Sequence, residues 1–341
     1  RDNLLVTGGG DVSAPPRAEG RGVRRPLGPW ASFLIRRLAR LVVSVWVLIT
    51  FAFLLIHLIP GDPVRAALGL TAPPDLVERT REGLGLNDPL LVQYGRYMHN
   101  LFTGDFGVSM INRLPVLDTV SHRLPNTLLL AVLAFVTIVL IAIPLGLGMA
   151  ILTRDGRRRP LELGFTSSAM VIAAIPEFLA AVMLVYVFAV KTGWFPIAGK
   201  AGPNTFVLPV AALSIGAAAA LSRLVRVEVL GVLGQDFIRT ARSKRLRNAR
   251  IYLRHALPNT LTATLTVSGL LLSSLVVGSV LVETTFAWPG LGPTMVSAIL
   301  ARDYPMVQII VLVYGAMVLF INLVVDLVLA ALDPRSTIKQ G

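Results

Sequence analysis

The stretch Gly234–Asn259, GQDFIRTARSKRLRNARIYLRHALPN, carries seven Arg/Lys side chains and a histidine, and Thr260–Val282, TLTATLTVSGLLLSSLVVGSVLV, follows without a break. The second stretch holds no charged residue and is long enough to cross a bilayer, which takes about 20 apolar residues. Alone, the first stretch reads as an RNA-binding peptide. Beside a membrane span, it reads as a basic loop held on the cytoplasmic face, because Lys and Arg accumulate there.

Composition agrees. Of 341 residues, 54% are hydrophobic and 15% charged, with a mean hydropathy of +0.71; soluble domains carry roughly 25% charged residues. There is no cysteine, which excludes disulfides, thiolate catalysis and Cys-ligated metals. His57, His99, His122 and His255 are scattered without a second ligand at helical spacing, so no metal site is expected.

Six runs are long enough to span: Leu41–Ile59, Thr127–Leu152, Ser168–Val190, Phe206–Leu221, Leu261–Val282 and Val307–Leu332. The first is too long for a signal peptide and lacks a small-residue cleavage site. Alternating ten-residue strands are missing, so the backbone groups are satisfied by helices. Of 32 Lys/Arg residues, 23 fall on one side of these spans: eight in residues 1–40, four in Arg154–Pro160, nine in Arg223–His255 and two after Leu332. Both termini are therefore expected inside, N-in and C-in. The net charge of +13 is a topology signal rather than a nucleic-acid footprint, since no aromatic stacking set is interleaved with it.

Residues 1–29 are rich in Gly, Pro and Arg and are expected to be a disordered tail; the first residue is arginine, so the natural start is expected upstream. Residues 30–60 form the first span with its basic flank. Residues 61–126, with six basic and seven acidic side chains, form an exterior subdomain, in which Asp75 is expected to cap a helix. Residues 127–335 are the membrane core, including the cytoplasmic loop 223–258, and 336–341 are a C-terminal tail.

No nucleotide site is visible. WFPIAGKA (Trp194–Ala201) lacks the first glycine and the hydroxyl residue of a phosphate-binding loop, GLGMAI at Gly146 lies inside a span, and GDFG (Gly104–Gly107) is exterior. If ATP drives this protein, another chain binds it. Such a chain needs a rigid element to grip. Phe237–Lys244 is expected to be a short helix with Asp236 as N-cap and Phe237 and Ala241 on one face, and Asn248–Leu257 to lead into the fifth span with Pro258 at the junction.

The loop resembles the cytoplasmic signature of ABC importer permeases, E-A-A-x-x-x-G followed after nine residues by I-x-L-P. Arg239, Thr240 and Ala241 occupy the first three positions, Arg245 the glycine, and His255, Ala256, Leu257 and Pro258 the terminal motif. The acid and the glycine are replaced. A left-handed arginine in place of glycine costs on the order of 1 kcal/mol.

LIPGDPV (Leu58–Val64), LGLNDPLLVQYGRYMHNLFTGDFGVS (Leu84–Ser109), RLPNTLLLA (Arg123–Ala131), VETTFAWPGLG (Val282–Gly292), AILARDYPMVQ (Ala298–Gln308) and NLVVDLVLAALDPR (Asn322–Arg335) are similar to the first permease of dipeptide, oligopeptide and nickel uptake systems. The resemblance covers about residues 30–335. It implies a type I ABC importer permease fold with six transmembrane helices, in the bacterial inner membrane. It further implies a second homologous permease, two ATPase domains binding ATP and Mg, and an extracytoplasmic solute-binding protein. This chain itself would hold no cofactor. Arg239, Thr240, Ala241, Lys244, Arg245, Leu246, Leu257 and Pro258 would form the ATPase-coupling surface. Peptides lead as substrate, with nickel chelates and haem as alternatives.

Glu177, in AAIPEFLAA, falls within the third span, where a charge costs roughly 2.5–3.5 kcal/mol. It is the candidate substrate-path residue; pairing with a basic group, or a protonated interface role, are the alternatives. Asp326 and Asp333 read as structural, and Pro144, Pro176 and Pro209 as helix bends. An ATP-independent secondary transporter is the competing reading, but it needs inverted repeats and mid-membrane polar groups that are scarce here.

Overall fold

The computed structural model describes residues 29–58, 62–69, 71–83, 85–156 and 158–332. All but the last residue of the expected tail 1–29, the tail 336–341 and Asp333 lie outside the described residues. The chain is helical: α1 (Pro29–Leu58), α2 (Pro63–Leu68), α3 (Pro74–Gly83), α4 (Leu90–Thr103), α5 (Val116–Leu152), α6 (Arg159–Ala173), α7 (Glu177–Leu184), α8 (Val207–Leu233), α9 (Asp236–Ser243), the single turn α10 (Asn248–Arg250), α11 (Leu257–Thr285), α12 (Leu291–Leu300) and α13 (Tyr304–Leu332). Wider π-type turns extend α7 over Val185–Lys191 and lead into α11 over Ile251–Ala256. No β-strand occurs among the described residues.

Among the described residues, five helices (α1, α5, α8, α11 and α13) are long and apolar enough to span a membrane. The third expected span, Ser168–Val190, is not one straight helix. It is broken between α6 and α7, with a bend of 92°, and counts as the sixth span only as a bent pair. Pro176 is the cause. It has no N–H to donate, lies extended (φ −59°, ψ 140°), and disfavours helix in the residue before it. The other two prolines expected to bend helices do not break them. α5 runs unbroken through Pro144, and Pro209 falls in the first turn of α8, where an N–H has no intrahelical partner anyway.

The fourth span was expected to end at Leu221 but continues to Leu233, so Arg223 and Arg226 belong to a helix rather than to the loop. Arg226 explains how: it is buried (8% exposed), pairs with Glu162 of α6 at 2.7 Å and donates from Nε to Thr153 Oγ1 at 3.0 Å. A basic residue is thus accommodated on the buried face, and the helix continues. Outside, α5 begins at Val116, within the segment assigned to the exterior subdomain. Asp75 is not a cap; it is the second residue of α3. The capping aspartate is Asp62, whose side chain accepts the Val64 N–H of α2 at 3.0 Å and pairs with Arg81 of α3 at 2.5 Å.

Two apolar clusters fill the molecule. One joins α1, α12 and α13 to the outer part of α5, around Ile49, Val116, Leu291 and Ile310. The other runs along α5, α8 and α11, through Leu130, Leu213, Leu221 and Val229. α5 and α8 approach closely at Gly146, where a Cβ would lie 2.6 Å from the Ser222 carbonyl oxygen. The second cluster does not stop at the membrane. Ile238, Ala241, Ile251 and Ala256 of the basic loop belong to it.

Candidate functional site

α9 starts after Gln235, whose extended backbone (φ −77°, ψ 156°) ends the descent from α8. Asp236 is the first helical residue and not the cap, and the capping position makes no side-chain hydrogen bond. The buried face is also not the expected one. Ile238 and Ala241, three residues apart, are buried, whereas Phe237 is 39% exposed. Burial of Ile238 and Ile251 stabilises the contact by about 1.5–3 kcal/mol each, which clamps α9 onto the turns entering α11.

The helix ends in a double hydrogen-bonded stop. The Leu246 N–H reaches back to the Ala241 carbonyl at 3.4 Å and the Arg245 N–H to the Arg242 carbonyl at 2.8 Å. That pattern requires a left-handed residue between them, and Arg245 has φ 52°. Arginine thus adopts the conformation that glycine takes without strain.

The eight residues expected to couple this chain to a partner are brought into one unit. Arg239, Thr240, Lys244, Arg245 and Pro258 are exposed, Leu246 and Leu257 half-buried, and Ala241 buried behind them. The Arg239–Asp236 ion pair (3.4 Å) is almost fully exposed and contributes little. Arg242 is different. Its Nη2 is buried without a hydrogen-bond partner.

Glu177 opens α7 directly after the 92° break. It faces α11 at Gly278, where a Cβ would come within 2.7 Å of its Oε2. Half-buried, it forms no hydrogen bond or ion pair with any described residue, so pairing with a basic group of this chain is not observed. Asp326 does pair, with Arg37 of α1, as a structural role requires.

Sequence reading missed one carboxylate. Glu283 is fully buried at the end of α11. It accepts the Gly292 N–H at 2.8 Å and the Ser279 hydroxyl at 3.2 Å, while Thr127 Oγ1 accepts the neighbouring Leu291 N–H at 2.9 Å. Gly290 and Gly292 leave room for it; a Cβ at Gly292 would lie 2.8 Å from the carboxylate. The signal was the glutamate followed by two glycines in VETTFAWPGLG, a pattern of close backbone approach. Asp303 repeats the device outside, accepting from Ser109 Oγ and from the Met110 N–H at 3.1 Å.

The chain matches the family described as binding-protein-dependent transport system inner membrane component over residues 142–338, and that family's N-terminal region over residues 30–131. It belongs to this family. The permease is 39% identical over 312 residues to a putative peptide transport system permease protein of Brucella suis biovar 1 (strain 1330), covering 89% of this chain and 98% of the relative. It is 35% identical over 309 residues to the glutathione transport system permease protein GsiC of Escherichia coli (strain K12), covering 90% and 99%. A chain of the MetNI methionine ABC transporter, solved in inward-facing conformations, shares the fold with a TM-score of 0.56 and 19% identity, over 64% of this chain and 98% of that one. The permease is a multi-pass inner-membrane subunit of an ABC importer with the type I fold, and the secondary-transporter reading falls.

Proposed function

We propose that this permease is one of two related membrane subunits of an ATP-driven importer of di- or oligopeptides, with ATP and Mg bound by two partner ATPase domains and substrate delivered by an extracytoplasmic binding protein. It does no chemistry of its own. The peptide assignment is supported by relatives named for peptide and glutathione transport.

The coupling role rests on one observation: the apolar cluster that fills the membrane bundle extends into α9 and the turns before α11. A force applied to the exposed Arg239–Arg245 edge therefore cannot be absorbed by a soft loop; it moves α8 and α11. Nucleotide-driven closure of the ATPases then converts to a rigid-body change of the pore. Glu177, without a hydrogen bond or ion pair to any described residue and beside Gly278 of α11, would meet the cationic amino group of a peptide.

The test is ATP hydrolysis and peptide uptake in proteoliposomes holding the whole complex. Ala241→Pro removes a backbone donor in α9 at a cost of about 3 kcal/mol and should uncouple the two, while Arg250→Ala on the exposed turn should not. Normal coupling in Ala241→Pro, with the complex assembled, removes α9 as the lever.

A further inference from the structure

α1 packs against α13, and their shared face carries two connected hollows. The lower, of about 210 Å³, lies at the basic, cytoplasmic end and is lined by Arg37, Arg40, Ser44, Asn322 and Asp326. The upper, of about 380 Å³, is almost wholly apolar, with Val47, Phe51, Val277 and Val318 among its walls. Ser44 and Leu319 line both, so the two form one groove running from the cytoplasmic interface into the membrane.

Its chemistry changes along its length. At the bottom, Asp326 is occupied by Arg37, which leaves Arg40 exposed and without an ion pair to any described residue. The Asn322 Oδ1 accepts from Ser273 Oγ at 2.9 Å, so its amide hydrogens remain for another acceptor. A guanidinium, an amide N–H and the Ser44 hydroxyl together suit the oxygens of a phosphate. Above them only hydrocarbon is accommodated. From Arg40 to Phe51 the helix rises about 16 Å, close to half of the ~30 Å bilayer core.

We propose that the α1/α13 groove is a binding site for one anionic phospholipid of the inner leaflet, its phosphate on Arg40 and Asn322 and an acyl chain along Val47, Phe51 and Val318. A protein segment is a poorer occupant, since it would bury Arg40 and would need its own acid at that depth. The lipid brings both halves of the match.

The experiment is native mass spectrometry of the full complex released from detergent with phosphatidylglycerol or phosphatidylcholine added. One phosphatidylglycerol is expected to persist at activation energies that strip phosphatidylcholine. Arg40→Gln should cut its retention about fivefold. Ser44→Phe, which blocks the joint between the hollows, should do the same, with elution volume and unfolding midpoint checking the fold. Arg36→Gln, an exposed neighbour outside the groove, should leave retention unchanged. Equal retention of both lipids, equal losses in Arg36→Gln and Arg40→Gln, or displacement by glycerol phosphate alone would each overturn the site. So would crosslinking of the Phe51→Cys variant to the second permease, because a subunit would then fill the groove.

Discussion

The Glu283 carboxylate accepts the Gly292 N–H at 2.8 Å, tying the last turn of α11 to the first turn of α12. With Ser279 it forms a closed polar knot in an otherwise apolar cluster, at the end of the bundle opposite the basic loop. Glu283→Ala would leave buried donors unmatched, at about 1–3 kcal/mol for each such group. The unfolding midpoint of the purified complex should drop clearly in Glu283→Ala and less in Glu283→Gln, which keeps an acceptor oxygen. An unchanged midpoint in the alanine variant would mean that water replaces the carboxylate and the knot is not structural.

Tyr97 of α4 gives the opposite expectation. Its hydroxyl is buried without a hydrogen-bond partner, and burial pushes the phenol above its ordinary value of 10.0. Tyr97→Phe loses no bond and should change stability by no more than about 1 kcal/mol, in either direction. The sign with pH follows. The folded protein holds the phenol neutral while the unfolded chain ionises near pH 10, so stability is whole below that pH and falls above it. The alkaline limb of a stability–pH curve should therefore be shallower in Tyr97→Phe than in the parent.

Glu177 is unpaired within this chain and adjoins Gly278 across the α7–α11 contact. Glu177→Gln keeps the shape and removes the charge. Peptide uptake should fall, most for substrates with a free amino terminus, while complex assembly and basal ATP hydrolysis persist. Dissociation of the second permease from the glutamine variant would assign Glu177 to the subunit interface instead.

Much of this architecture was legible because hydrocarbon leaves few options: a charge-free run of twenty residues must be a helix, and Lys/Arg counts orient it. What escaped was set by tertiary contacts. Arg226 looked like loop because it is charged, yet its pairing with Glu162 keeps α8 helical to Leu233. In Ser168–Val190 the bend at Pro176 was legible from its missing N–H, but hydropathy does not register its size, and the 92° break divides the span into α6 and α7. In α9 the i, i+4 pair Phe237/Ala241 and the i, i+3 pair Ile238/Ala241 are equally helical, and only the neighbouring turns before α11 decide which is buried. Glu283 gave a signal, but the Gly292 N–H that it accepts and the Thr127 hydroxyl on the neighbouring Leu291 N–H converge only in three dimensions.

Arg245 separates shape from charge in the proposed coupling loop. Its φ of 52° closes the stop of α9, and an arginine there is strained by about 1 kcal/mol relative to glycine. Arg245→Gly relieves that strain but loosens the unfolded chain, so the net change should lie within about 1 kcal/mol and favour the folded loop. Arg245→Val forces a β-branched side chain into the same left-handed position and should open the turn. If the lever works through shape, uptake per ATP in proteoliposomes stays at the parental level in Arg245→Gly and falls in Arg245→Val. Should both variants fall alike while the complex remains assembled, the guanidinium itself is the contact that the ATPase grips, and the left-handed turn serves only to present it.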